Sequence, residues 1–169
     1  MAIREIFTDA DPVLHKKCHP VTKFDDRLAD LLDDMRETLE DANGAGLAAP
    51  QIGILRRVVV LYDANDEMIE LVNPEIISRE GEQDGLEGCL SLPGVWGYVK
   101  RPMAVRVKAQ DRKGDWFEVE GEEIVARCFC HEIEHLDGHV FTEHVDRTYT
   151  GEEVEEIMER EKAKKGKKS

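Results

Sequence analysis

The sequence predicts an α+β domain in which a mainly antiparallel sheet packs around a central helix, with one further helix towards each end of the chain. Three observations support this fold class. An apolar stripe at helical spacing lies near the N-terminus, strand-like runs joined by hairpin-type turns fill the middle, and helical patterns return after residue 121. Helices that flank tightly connected strands are typical of this class.

The composition favours a single domain that works in the cytoplasm. Hydrophobic residues make up 41% of the 169 residues, which is ordinary for a globular chain of this length. No apolar run reaches the roughly 18 residues of a membrane span, and the N-terminus lacks the apolar core of a signal peptide. We therefore expect a cytoplasmic protein without a membrane partner, whose 4 cysteines stay reduced.

Charge is distributed unevenly along the chain. The net charge of −14 argues against binding of DNA, because a polyanion would be repelled. Residues 160–169 nevertheless carry 6 basic residues and only 1 acid, Glu161. We expect residues 1–150 to form the main domain and residues 151–169 to form a helix with a Lys-rich tail, which either docks on an anionic partner or only keeps the chain soluble.

The first regular element is predicted to be an amphipathic helix. Its apolar residues recur every three or four positions, while acids and arginines fill the opposite face. Asp25 or Asp26 places negative charge in the first turn, where the helix dipole favours it. The stripe that we expect to face the core consists of Phe24, Leu28, Leu31, Leu32, Met35 and Leu39.

Two glycine-bearing segments are predicted to be loops that approach a ligand. The first, 43–53, includes Gly46 and Gln51, and a residue without a Cβ lets the backbone come close to a bound molecule. The second, 87–94, holds Cys89 between a glycine and a Pro-Gly turn, which suits a side chain presented by a shaped loop. Both loops are therefore candidate parts of a binding site.

Strand patterns surround the second loop. Their β-branched and apolar residues alternate or run together, and Asn73-Pro74 separates the second run from the third. A turn at 111–114 joins the last two runs as a hairpin. The predicted strands are 57–62, 69–72, 75–78, 103–109 and 116–119.

Two further helices are predicted after the strands. The first begins near Glu122 and ends before Gly138, a natural C-terminal stop. The second spans 151–163 and is amphipathic. Its apolar face is formed by Val154, Ile157 and Met158.

The helix before Gly138 contains the motif H-E-x-x-H. His131 and His135 stand one turn apart on one helix face, where two imidazoles can hold one metal ion. Glu132 lies beside them, in a position where a carboxylate can take a proton from water. The central helix is therefore predicted to bind a metal.

A catalytic metal site of this kind needs a third protein ligand. Cys89 is the leading candidate, because it arrives on a separate segment and is free to converge on the two histidines. Glu155 is the second candidate and would indicate a small metalloendopeptidase, although other glutamates of the last helix are equally available. The choice between these two residues decides the predicted chemistry.

Other residues near the motif are weaker candidates. Cys128 lies about 10 Å along the helix axis from His135, too far to share one ion with it. Phe141 stands where some metalloproteases have a third histidine, so that alternative fails. His139 and His144 are expected to be surface residues.

Three segments resemble the signature blocks of the peptide deformylase family, in the same order. They are 44–53 (GAGLAAPQIG), 87–91 (EGCLS) and 131–138 (HEIEHLDG). The resemblance extends from Asp11 to about Val145, and three separate blocks are far more specific than H-E-x-x-H alone. It implies that residues 1–150 form a catalytic domain.

The resemblance implies a metal-dependent hydrolase that removes the formyl group from the N-terminal formyl-methionine of newly made polypeptides. Cys89, His131 and His135 would bind the metal, typically Fe²⁺, with Zn²⁺, Ni²⁺ or Co²⁺ as substitutes. Glu132 would act as general base and then as general acid. Independently of the resemblance, the charge of the basic tail predicts that residues 151–169 promote docking to an anionic partner such as ribosomal RNA.

The same resemblance assigns residues to the substrate. The Gln51 amide and the Leu90 backbone N–H would hold the oxyanion. Gly46 backbone atoms would line the peptide, and Cys128 would help to wall the methionine pocket. The chain departs from the family pattern at Cys130, Glu134 and Trp96, where members often have Gln, Asp and Arg, so contacts around the ligands and beyond methionine are expected to differ.

Overall fold

The fold is the predicted α+β arrangement. The computed structural model describes residues 2–166 of the chain. Its helices are α1 (Asp26–Ala42), α2 (Ile124–Leu136) and α3 (Gly151–Gly166), and none of them is both long and apolar enough to cross a membrane. Its strands are β1 (Gly46–Ala48), β2 (Val58–Tyr62), β3 (Met68–Glu80), β4 (Gln83–Cys89), β5 (Leu92–Arg101), β6 (Ala104–Gln110) and β7 (Trp116–Glu122).

The main sheet lies between two helices. It has the strand order β1-β2-β3-β6-β7 with antiparallel neighbours, while β4 and β5 form a separate hairpin. Successive residues of a strand point to opposite faces. Val58 and Val60 of β2 therefore join the core beneath α1, whereas Val59 and Leu61 join the core beneath α2.

The N-terminal helix follows its predicted apolar stripe. The stripe is buried from Leu28 onwards, and Phe24 packs on the same core from just before the first turn. Asp25 caps the helix by accepting the N–H of Leu28 at 3.2 Å. The chain leaves α1 at Asn43, whose φ of 55° is left-handed, and enters the edge strand β1.

The predicted strands 69–72 and 75–78 are one long strand, β3. Asn73, between them, has a φ of 50°, and the pairing with β6 shifts register at this point. The Asn73 side chain accepts the Val21 N–H at 2.8 Å and donates to the Val21 carbonyl at 2.9 Å. The predicted break at Asn73-Pro74 is wrong, because a bulge there lets the strand bend and continue.

The β4–β5 hairpin replaces the loop that was predicted around Cys89. Cys89 is the last residue of β4, and Leu90 and Ser91 form the turn into β5. The sequence pattern hides both strands, because they bury the charged residues Glu87 and Arg101 where an apolar alternation would be expected. These two side chains satisfy each other by an ion pair at 2.8 Å.

The central helix begins later than predicted. Glu122 ends β7, and Glu123 has a φ of 55°, which a right-handed helix does not accommodate, so α2 starts at Ile124. Its end before Gly138 is as predicted. Gly138 has a φ of +81°, and the N–H groups of Gly138 and His139 donate to helix carbonyls at 3.1 Å each.

The C-terminal helix packs only loosely on the rest of the chain. It runs three residues beyond the predicted end at 163. Val154 is buried, whereas Met158, on the same predicted apolar face, is 53% exposed. The predicted basic tail also includes Lys167 and Lys168, which lie outside the described residues.

Candidate metal centre

The central helix brings the two histidines of the motif together in the interior. His131 is 8% exposed and His135 is 1% exposed. Their rings lie 5.0 Å apart between centroids, at an angle of 73°. Phe129 and Ile133 of the same helix pack into the core beneath it, so the histidine face is turned towards the β4–β5 hairpin.

Cys89 brings the third candidate ligand from the end of β4. Its Sγ lies 3.3 Å from Nε2 of His135, and one ligand atom from each of Cys89, His131 and His135 lies within 4.8 Å of the others. Among residues 2–166 no other three His, Cys, Asp or Glu side chains converge in this way. Glu155, the alternative third ligand, is exposed on α3 and lies outside the group.

A buried carboxylate and an aromatic ring orient the His131 imidazole. Glu87 Oε1 lies 2.9 Å from His131 Nδ1. Phe141 stacks on the ring with centroids 5.8 Å apart. Because Nδ1 donates to the carboxylate, the lone pair of Nε2 is free for a metal ion.

Glu87 is held in turn by two arginines. Arg101 donates to both of its oxygens, at 2.8 and 2.9 Å, and Arg127 donates to Oε2 at 2.6 Å. Burial alone would raise the pKa of Glu87, but hydrogen bonds from Arg101 and His131 outweigh burial and lower that pKa to about 2. Glu87 therefore remains ionised and fixes the imidazole.

Sequence reasoning missed this network. Glu87 opens the EGCLS block, but nothing in the sequence pairs it with Arg101, Arg127 or His131, which lie 14 to 44 positions away. Ser91, in the same block, was also missed. A charged residue inside a glycine-rich strand pattern is the one signal that could have pointed to Glu87.

Glu132 lies beside the ligand atoms in a buried position. It is 4% exposed, and its Oε1 has no hydrogen-bond partner among the described residues. Burial raises the pKa of the Glu132 carboxyl to about 7. A buried oxygen without a partner is costly, so this carboxylate is a candidate proton acceptor for a molecule that enters the site.

Gln51 lies directly beside Cys89. Its side-chain oxygen accepts the N–H of Ala48 at 2.9 Å, which fixes the amide, and its Nε2 lies 3.1 Å from Ser91 Oγ and 3.5 Å from Cys89 Sγ. Leu90 follows Cys89 in the hairpin turn. Both predicted oxyanion donors therefore lie next to the candidate thiol ligand.

A cavity of about 470 Å³ opens at the site, and Gly46, Cys128, Glu132 and Trp96 contribute to its lining. A Cβ on Gly46 would lie 2.7 Å from Glu132 Oε2 and 2.8 Å from Cys128 Sγ, so only glycine allows β1 to approach α2 here. Burial raises the pKa of Cys128 well above its ordinary value, which keeps the thiol neutral. The Cys128 thiol is therefore an uncharged part of a lining that also includes the ionisable side chains of Glu132 and Arg127.

The residues that depart from the family pattern lie around the site. Cys130 is buried on α2. Glu134 binds Arg101 at 2.7 Å and lies 3.0 Å from Nε2 of His144. His144 is exposed as predicted, as is His139.

The donor set suits a divalent transition metal. One thiol and two imidazoles converge, and no fourth His, Cys, Asp or Glu of the described part of the chain joins them, which is the composition of an open, catalytic type of site. The engaged Nδ1 of His131 and the unpartnered Glu132 Oε1 fit such an ion better than they fit a closed structural site. Cys89, His131 and His135 are thus the residues that would hold the metal.

The fold and this donor set define a small metal-dependent hydrolase. The family model described as polypeptide deformylase matches residues 3–150. The chain therefore belongs to the polypeptide deformylase family. The predicted function, metal-dependent removal of the formyl group from the N-terminal formyl-methionine of newly made polypeptides, is confirmed, and the endopeptidase alternative is not favoured.

Relatives of known sequence and structure agree with this assignment. A peptide deformylase of Caldicellulosiruptor bescii is 54% identical over 160 residues, which cover 95% of this chain and 96% of the relative. The crystal structure of a peptide deformylase from Legionella pneumophila has a TM-score of 0.83 at 43% identity and covers 99% of this chain and 96% of its own. That of Thermotoga maritima has a TM-score of 0.83 at 36% identity and covers 87% and 100%, respectively.

Proposed function

We propose that Cys89, His131 and His135 bind the catalytic metal ion and that Glu132 moves the proton during deformylation. The observation that carries the proposal is the convergence of the three ligand atoms within 4.8 Å, next to a buried carboxylate oxygen without a partner. A divalent ion held there would supply Lewis-acid polarisation of the formyl oxygen and a water molecule of lowered pKa. The chain's own residues supply the remaining steps.

Glu132 accepts a proton as the water oxygen attacks the formyl carbon. It then returns this proton to the amine nitrogen as the C–N bond breaks, so that formate and a free N-terminus leave. Glu132 directly follows His131, and its Oε1 has no partner among the described residues. We therefore expect it to reach both the water oxygen and the amine nitrogen.

Gln51 and Leu90 stabilise the negative charge that develops on the formyl oxygen. The Gln51 amide is fixed by the Ala48 N–H, which turns Nε2 towards Cys89 and Ser91. The Leu90 N–H lies in the turn directly after Cys89. Removal of one such donor typically lowers kcat by about 10²–10³.

Gly46 and Cys128 form the substrate groove. Gly46 begins β1, an edge strand of the main sheet, so a peptide can add its backbone alongside. Cys128 presents a neutral thiol to the cavity, which suits the apolar methionine side chain. The formylated residue would lie in the cavity that β1, the β4–β5 hairpin and α2 line together.

Fe²⁺ is the proposed metal, with Zn²⁺, Ni²⁺ or Co²⁺ as substitutes. A thiolate with two imidazoles suits several of these ions, so availability in the cell decides among them. Anaerobic isolation followed by metal analysis would show Fe²⁺ at one equivalent if this part is correct. One equivalent of Zn²⁺ with full activity would contradict it.

Because the substrate is a nascent polypeptide, we propose that the protein acts in the cytoplasm, at the ribosome. Residues 1–150 would form the catalytic domain, in line with the family match over 3–150, and residues 151–169 would dock to ribosomal RNA. The exposed end of α3 supports this, because Lys162, Lys164 and Lys165 are exposed there.

The docking proposal has a direct test in the full-length chain. Replacement of these three lysines by glutamine should weaken salt-dependent ribosome association, whereas Lys16→Gln and Lys17→Gln, on the N-terminal arm, should not. Unchanged association of the triple variant would reject docking through α3.

Formate release from a short formyl-methionyl peptide under anaerobic conditions tests the ligand set. Cys89→Ser should abolish release, whereas Cys18→Ala, which removes a buried thiol away from the site, and Glu155→Gln should retain it. Release that survives Cys89→Ser but is lost with Glu155→Gln would restore the alternative ligand set.

A further inference from the structure

We propose that Arg127 is a positioning residue that fixes the hairpin bearing Cys89 against the helix bearing His131 and His135. The inference rests on the proposed ligand set. Two separate pieces of the fold supply the ligands, since α2 carries the imidazoles and the β4–β5 hairpin carries the thiol. The hairpin is not paired with the main sheet, so other contacts must set its distance from α2.

One nitrogen of Arg127 reaches both strands of the hairpin. Its Nη1 donates to the Val99 carbonyl of β5 at 2.8 Å and makes a longer, shared contact with the Gly85 carbonyl of β4 at 3.3 Å. Gly85 and Val99 are partners across the hairpin. The guanidinium therefore contacts the backbone of both hairpin strands. Its contact on β4, Gly85, lies four residues before Cys89.

The same nitrogen also holds the carboxylate that orients a candidate ligand. Arg127 Nη1 lies 2.6 Å from Glu87 Oε2, and Glu87 Oε1 lies 2.9 Å from His131 Nδ1. Arg127 precedes His131 by one helical turn, so the two side chains lie on the same face of α2. A single side chain thus links the position of Cys89 to the orientation of His131.

The packing leaves space for this contact and shields it from water. The Arg127 side chain is 10% exposed and that of Glu87 is 4% exposed. A Cβ on Gly85 would lie 3.1 Å from Arg127 Nη2, which is tighter than an ordinary contact. Glycine at position 85 is therefore what allows the guanidinium to lie flat against the hairpin.

Arg101 does not duplicate this role. It also joins the hairpin to α2, but through Glu134, whose side chain is 27% exposed and is shared with His144. Among the described residues, the Arg101 side chain bonds only to carboxylates, whereas Arg127 Nη1 contacts two carbonyls of the hairpin backbone. Loss of Arg127 should therefore loosen the thiol side of the site, and loss of an outer partner of a ligand typically weakens metal binding by about 10–100-fold.

The test compares full-length holoenzymes with Arg127→Met, Arg127→Lys and Gly85→Ala, and with Arg106→Met as the control at an exposed arginine of β6. The readouts are the rate of metal loss to a chelator and the thiolate absorption band of the Co²⁺-loaded protein, neither of which depends on deformylation. We expect Arg127→Met to lose metal about 10–100-fold faster than wild type and to shift the band. The rate of metal loss from Arg127→Lys should lie between those of Arg127→Met and wild type. Arg106→Met should match wild type in both readouts.

The outcomes separate positioning from a mere lining role in the pocket. If Arg127 only lines the cavity, its variants raise KM for the formyl peptide while metal loss and the Co²⁺ band stay at wild-type values, and the proposal is overturned. Gly85→Ala keeps the guanidinium but displaces it, so it provides the same test if Arg127→Met does not fold. Normal metal retention in Gly85→Ala and Arg127→Lys together would also overturn it. Wild-type formate release reports separately on the proposed function.

Discussion

The helices α2 and α3 both carry glutamates, yet the surroundings of these glutamates differ sharply. On α2, Glu132 is buried beside the candidate ligands and one of its oxygens has no hydrogen-bond partner within residues 2–166, while Glu134 binds Arg101. On α3, Glu155 and Glu156 face solvent. The difference teaches that burial and neighbours, rather than residue type, make a carboxylate a candidate catalyst.

The largest expected difference between the two helices is the change in kcat when one glutamate on each is replaced by glutamine. Glu132→Gln cannot accept a proton, so we expect kcat for formate release to fall by about 10²–10⁴. Glu155→Gln on the exposed face of α3 should leave kcat unchanged. Both rates are measured at equal metal content, and a Glu132→Gln variant with wild-type kcat would contradict the assignment.

Truncation of one apolar side chain on each helix should separate their contributions to stability. Phe129 of α2 is fully buried, so Phe129→Ala should lower the free energy of unfolding by about 3–5 kcal/mol. Met158 of α3 is 53% exposed, and Met158→Ala should stay within about 0.5 kcal/mol of wild type. Urea unfolding measures both, and equal losses would show that α3 belongs to the core.

Alanine at one terminal glycine of each helix should destabilise the fold at α2 but not at α3. Gly138, at the end of α2, has a φ of +81°, and a Cβ there would lie 2.8 Å from the His15 backbone, so Gly138→Ala should destabilise the fold by about 1–3 kcal/mol. A Cβ on Gly151, at the start of α3, would meet nothing within 4 Å. Gly151→Ala should be neutral or slightly stabilising, and thermal unfolding of the two variants would reveal any departure from this order.

A smaller, pH-dependent effect on the free energy of unfolding is expected from an ion pair of the main sheet compared with one of α3. Burial would raise the pKa of Glu70 on β3, but hydrogen bonds from Arg112 and Arg36 outweigh burial and hold that pKa below its ordinary 4.5. A lowered pKa in the folded state stabilises the fold above the ordinary value and loses this effect as pH falls through the folded value. Glu70→Gln should therefore cost about 1–2 kcal/mol at pH 7.

That cost should shrink towards zero in acid, when the wild-type carboxylate is protonated as well. Glu153, which pairs with Arg147 at the exposed start of α3, is the matched control and should show the smaller change with Glu153→Gln. Unfolding curves at several pH values would test this. A Glu70→Gln cost that does not vary with pH would reject the role of the ionised carboxylate.

The sequence predicted the elements whose apolar pattern is regular. The stripe on α1 and the hairpin of β6 and β7 follow their periodicity, and Gly138 ends α2 as its backbone freedom suggests. The sequence predicted two strands in place of the long strand β3, because a left-handed Asn73 is indistinguishable from a turn at the level of sequence. Local pattern carries no information about a bulge that distant side chains stabilise.

The sequence predicted the three residues that converge at the candidate site, but not the residues that surround and orient them. Cys89, His131 and Glu132 stand within short motifs, so the sequence alone singles them out. Arg101 and Arg127 reach Glu87 only through the fold, across the hairpin and from α2, and a lone arginine has no motif. The loop predicted around Cys89 was wrong for the same reason, because paired charges replaced the apolar alternation of β4 and β5.

The most direct measurement is the X-ray absorption spectrum of the protein loaded with one equivalent of Fe²⁺ or Co²⁺ under anaerobic conditions. We predict one sulfur neighbour at roughly 2.3 Å and two imidazole nitrogens at roughly 2.0–2.1 Å in wild type. The sulfur should disappear in Cys89→Ser and persist in Cys128→Ser and Glu155→Gln. A wild-type spectrum with only oxygen and nitrogen neighbours, unchanged by Cys89→Ser, would contradict the Cys89, His131 and His135 site.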